Sequence, residues 1–91
     1  VLSTDTEGAP ADLSEAREAF NQGNIGQALA SYNSLIRTNQ SLEDVIADLR
    51  EASYHYADNV HIWQHLGDAY LHANQTKEAM EAYITAEKLL R

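Results

Sequence analysis

From residue 12 onward an apolar residue returns at every third or fourth position, a period that fits amphipathic helices and not strands. The spacing predicts helices over about 12–22, 25–38, 42–57, 60–73 and 77–90. The first carries Leu13, Ala16, Ala19 and Phe20 on one face, and the second Ile25, Ala28, Leu29, Tyr32, Leu35 and Ile36. Leu42, Val45, Ile46, Leu49, Ala52 and Tyr56 mark the third; Ile62, Trp63, Leu66, Tyr70 and Ala73 mark the fourth. Ala79, Met80, Tyr83, Ala86 and Leu90 mark the fifth. The chain is therefore expected to be all-α.

The breaks between these segments support the same limits. Asp12 with Glu15, Asn24 with Gln27, and Ser41 with Asp44 have the spacing of capping boxes, in which a short side chain accepts an orphan N–H of the first helical turn. Thr76 is expected to cap the fifth helix. Gly23 and Asn74 follow the first and fourth helices, where a left-handed residue ends a helix at least cost. Connections this short place successive helices antiparallel.

Residues 1–11 mix Ser, Thr, Asp, Glu, Gly and Pro without periodicity and are expected to form a disordered tail or linker. Residues 12–91 then make one domain, since 91 residues leave no room for a second core. The chain opens on Val1 and closes on Leu89-Leu90-Arg91 inside a periodic run, so both ends read as cuts in something longer.

A search for internal similarity finds a repeat. Counted from Val60 as position 1, Trp63, Leu66, Gly67, Tyr70, Ala79, Tyr83 and Ala86 fall at positions 4, 7, 8, 11, 20, 24 and 27. This segment resembles a tetratricopeptide repeat (TPR), the helix–turn–helix unit of about 34 residues with a W-x2-L-G-x2-Y…A-x3-F pattern. Small Gly67 and Ala79 stand where the two helices of a hairpin must approach closely. Residues 26–59 match in part, with Leu29, Tyr32 and Ile36 in the first helix and Val45, Leu49 and Ala52 in the second. There Asn33 replaces the glycine, and Ala57 stands where the family has proline. Ala16, Ala19, Gly23, Ala28, Tyr32 and Leu35 fit a third frame counted from Ala9, so the second helix is expected to close on the first and also to start the next repeat.

The resemblance implies antiparallel hairpins stacked as a short right-handed solenoid of about five helices, acting in protein–protein interaction. The first helices of such hairpins line a concave groove for an extended or helical segment of a partner. Carried onto this sequence, the groove positions are Gln27, Ala30, Ser34, Arg37 and Thr38 on the second helix, and His61, Gln64, Asp68, Leu71 and His72 on the fourth. Some relatives grip a C-terminal carboxylate with Lys, Arg and Asn in this groove. Gln64 and Asp68 do not resemble that clamp, and Arg37 is the one cation at these positions.

Charge narrows the partner. Fourteen Asp and Glu against six Lys and Arg give a net charge of −8, which repels a phosphate backbone and argues against nucleic acid. A neutral or basic peptide suits such a surface, and an acidic one does not. No apolar run approaches the ~20 residues of a membrane span, so membrane insertion is not expected. The domain is expected to be soluble; the compartment stays unknown, with the cytoplasm favoured.

Chemistry has little foothold. Without cysteine there are no disulfides, thiolate metal sites or cysteine nucleophiles. His61, His65, Asp68 and His72 share one helical stripe, but the run His61-Ile62-Trp63-Gln64-His65 lacks the glutamate of the H-E-x-x-H motif, and a structural zinc site needs a fourth convergent ligand. The stripe reads as a solvated polar face, with no metal and no cofactor expected. No Gly-rich phosphate loop, nucleophile elbow or marked carboxylate pair occurs, and the chain is not expected to be an enzyme. Tyr32, Tyr54, Tyr56, Trp63, Tyr70 and Tyr83 read as packing residues, with Tyr54 the exception because it lies off the apolar face. The alternative function is a self-associating scaffold domain of a larger protein, joined as a homo-oligomer through an apolar edge at Met80, Ile84 or Leu90.

Overall fold

The computed structural model describes residues 11–91; of the tail expected over residues 1–11, residues 1–10 lie outside them, and Ala11 is the first residue of a helix. Among the described residues five helices follow one another: α1 (Ala11–Asn21), α2 (Ile25–Arg37), α3 (Leu42–His55), α4 (Val60–His72) and α5 (Thr76–Leu90). No strand occurs among the described residues. Each helix lies within two residues of its expected limits, and the all-α expectation holds.

Side-chain size decides how near the helices come. The tightest pairs are α1 with α2 and α4 with α5. Their buried faces carry Ala16, Ala19 and Ala28 in the first pair and Gly67, Ala69, Ala79, Ala82 and Ala86 in the second, so the backbones approach closely. Between α2 and α3 the buried residues are larger, including Tyr32, Leu35, Ile36, Val45 and Leu49, and the two backbones come close at fewer places. The core is continuous from Leu13 to Ala82.

Contacts along the helices establish their directions. The start of α2, at Ile25 and Gly26, shares a depression with Asn59 and His61 at the start of α4. Beyond its end, Asn39 meets His72 at the end of α4, with Nδ1 2.8 Å from Oδ1. The two helices run the same way. Arg17 of α1 meets Asp44 and Asp48 of α3, while Phe20 and Asn21 share a cleft with Ala52 and His55. Glu43 and Ile46 of α3 lie near Gln75 and Glu78, and Ser53 and Tyr54 near Ala82 and Thr85. Thus α1, α3 and α5 run one way, α2 and α4 the other, in a body 49 × 29 × 16 Å.

The expected left-handed residues are present, Gly23 at φ 79° and Asn74 at φ 63°. Several expected caps are not. Asn24 precedes α2, but its side-chain amide donates to Gln27 Oε1 at 2.9 Å instead of accepting a backbone N–H. Ser41 adopts φ 54°, ψ 38° and its hydroxyl caps nothing, because the left-handed backbone carries the side chain away from the helix start. Thr76 is the first residue of α5, preceded by Gln75. The Asp12 side chain lies outside those described. Among the described residues the side-chain cap is Asn59, whose Oδ1 accepts from the N–H groups of His61 (3.0 Å) and Ile62 (3.2 Å). Trp63 Nε1 donates to the Ala57 carbonyl at 2.9 Å and braces the same loop.

Candidate functional site

The residues named for a groove divide between two neighbouring helices. On α2, Gln27, Ala30 and Arg37 are exposed and Ser34 is half-buried, and Thr38, just past its end, is exposed; on α4, His61, Leu71 and His72 are exposed, with Gln64 and Asp68 half-buried. A shallow depression of about 410 Å³ lies between the helices, with Ile25, Gly26, Leu29 and Ala30 on one side and Asn59, His61 and His65 on the other. Ala30 and His61 are the named residues that line it. Its floor is apolar where Leu29 enters the core.

Several polar groups on this face have partners already. Gln27 accepts from Asn24, Thr38 Oγ1 donates to the Ser34 carbonyl at 2.9 Å, and His65 Nδ1 lies 2.8 Å from the His61 carbonyl. Asp68 accepts a hydrogen bond from the hydroxyl of Tyr83 on α5, so its carboxylate links the hairpin internally besides facing solvent. Burial, and secondly that bond, pushes the Tyr83 hydroxyl up to about 12. Among the described residues no three of His, Asp or Glu converge as metal ligands, and His65 and His72 are each engaged as above.

A larger cleft, about 750 Å³, lies between α1 and α3. The groove positions do not include it. Phe20, Tyr32 and Tyr56 form its aromatic wall: Phe20 packs tilted on Tyr32 with centroids 5.7 Å apart and stacks on Tyr56 at 6.3 Å. Asp48 closes the inner end. It accepts from Arg17 Nε at 2.8 Å, from Arg17 Nη2 at 3.3 Å, and from the Tyr32 hydroxyl at 2.8 Å. Burial, reinforced by Asp48, raises the Tyr32 hydroxyl well above its ordinary range. This polar network is paired within itself, with Asp44 3.9 Å from Arg17 at its edge. Sequence spacing could not locate the cleft, since its walls meet across 31 residues at Arg17 and Asp48.

The aromatic expectations divide similarly. Tyr32 is fully buried, while Trp63, Tyr70 and Tyr83 are half-buried. Tyr54 is the expected exception at 72% exposure, and Tyr56, at 41%, is a second.

No helix among the described residues is long and apolar enough to cross a membrane. No family model, curated protein or solved structure matches this chain.

Proposed function

We propose that this chain is a TPR-type protein-interaction module whose α2/α4 face receives an extended or helical segment of a partner protein. The observation that carries the reading is the pair of same-direction helices sharing a depression of about 410 Å³ on the face where the repeat places a groove. Further support comes from the repeat offset. Asn39 and His72, in contact across the far end of the two helices, are 33 residues apart, close to one repeat length of about 34 residues. The alternating directions of the five helices and the close α4/α5 hairpin are those a short solenoid requires.

The apolar strip from Leu29 to Ala30 offers a place for an aliphatic or aromatic side chain of the segment. The net charge of −8 favours a neutral or basic one around it. Selection from a random peptide library at neutral pH tests this. Enriched binders should be neutral or basic with at least one apolar anchor; a predominantly acidic set contradicts the reading.

A further inference from the structure

Helix α5 carries a second pattern besides the one that packs it on α4. Ala79, Ala82 and Ala86 are buried, while Lys77, Met80, Ile84, Glu87 and Arg91 are exposed and follow one another at intervals of three, four, three and four. At about 100° per residue this stripe lies opposite the buried alanines. Intervals of three and four are the seam of a coiled coil. Its apolar members stand in solvent, Met80 at 57% and Ile84 at 46% exposure.

We propose that this stripe is a docking surface for a second copy of the chain, with the two α5 helices antiparallel about a two-fold axis. Charge complementarity selects both occupant and register. In an isologous contact, if residue i meets residue j, then j meets i. Setting Met80 against Ile84 of the second copy makes two equivalent apolar layers, and the same register sets Lys77 against Glu87 of the second copy at each end. Glu87 already pairs with Arg91 of its own helix at 3.3 Å, so in the dimer it lies between two cations. A parallel arrangement would oppose Lys77 to Lys77 and Glu87 to Glu87, which is repulsive at both ends. The stripe is therefore complementary to itself in one direction only.

Two apolar layers make a small contact, of the weak and concentration-dependent class. The charge of −8 on each copy opposes approach at low salt, whereas at physiological ionic strength a screening length of about 8 Å leaves mainly the short-range pairs. The surface is separate from the α2/α4 face, so either can fail without the other.

Sedimentation of the 91-residue chain from about 10 µM to about 1 mM, in about 0.15 M salt, reads the association directly. The mass should climb from 10.1 kDa toward twice that value. Met80→Glu and Ile84→Glu should each hold it at 10.1 kDa with unchanged helical circular dichroism. Lys77→Glu or Glu87→Lys alone should weaken the dimer about 3- to 10-fold, and the double exchange should recover most of the loss. A chain that stays at 10.1 kDa throughout overturns the proposal, as does a dimer that survives Met80→Glu and Ile84→Glu. A double exchange no better than the single ones overturns the antiparallel register.

Discussion

Gly67 of α4 faces the ring of Tyr83 on α5 so closely that a β-carbon at residue 67 would stand 2.6 Å from Cε1 and 2.8 Å from Cδ1. The ring cannot simply swing aside, because its hydroxyl is tied to Asp68, the residue that follows Gly67. Gly67 is thus the point at which hairpin spacing is set. Gly67→Ala should destabilise the domain by about 1–3 kcal/mol, seen as a Tm lower by about 4–8 °C per kcal/mol, with Gly67→Leu worse. At Gly26, near the start of α2, a β-carbon would meet nothing within 4 Å, and Gly26→Ala should raise Tm slightly. Equal responses at the two glycines would contradict this account.

The Gly67 position was legible because a repeat signature is a local pattern: glycine, the surrounding apolar residues and Tyr83 all stand at fixed spacings. Helix limits were legible for the same reason. The caps were less so. Asn59 has Ile62 rather than Glu or Gln three residues later, so no capping box marked it, although an Asp-Asn pair before Val60 is a helix-start signal by itself. Ser41 has the box spacing but a left-handed backbone, and no sequence rule links the two. The α1/α3 cleft stayed hidden because Arg17, Phe20, Asp48 and Tyr56 come together only through tertiary packing.

The two loop residues make a paired test. Asn59→Ala removes an acceptor for two N–H groups and should cost about 0.5–2 kcal/mol. Ser41→Gly removes no cap and relieves a positive φ, so it should stabilise by up to about 1 kcal/mol. Urea denaturation of the two variants checks both signs; a stabilising Asn59→Ala would contradict the cap.

Asp48 serves two donors at once. Asp48→Leu should cost about 1–3 kcal/mol, since the buried Tyr32 hydroxyl loses its acceptor, while Tyr32→Phe should cost about 0.5–1.5 kcal/mol. Together they should cost less than their sum, because the second change removes a group the first has orphaned. Additive losses in a double-mutant cycle would show that the bond contributes nothing.

Alkali provides a separate readout of the Tyr83 and Tyr32 phenols. Tyr83 is pushed up to about 12 and Tyr32 is also raised, whereas tyrosines of the unfolded chain ionise near about 10. Above that pH the unfolded chain binds fewer protons than the folded one, so stability falls as pH rises. The contribution is fully present below about pH 10 and is lost through about 12. The urea midpoint should decline across this window, and less steeply in Tyr83→Phe. A flat profile would contradict the raised hydroxyls of both rings.

Blocking each face in turn tests the central claim most directly. Ala30 is exposed within the α2/α4 depression, and Asn21 is exposed on the rim of the α1/α3 cleft, so a tryptophan at either position fills one surface and spares the core. With a peptide selected on the unaltered chain, titration calorimetry should find binding reduced at least about tenfold by Ala30→Trp, as expected when an anchor pocket is filled, and unchanged by Asn21→Trp. Loss of binding in Asn21→Trp with full affinity in Ala30→Trp would contradict the account and move the site to the α1/α3 cleft.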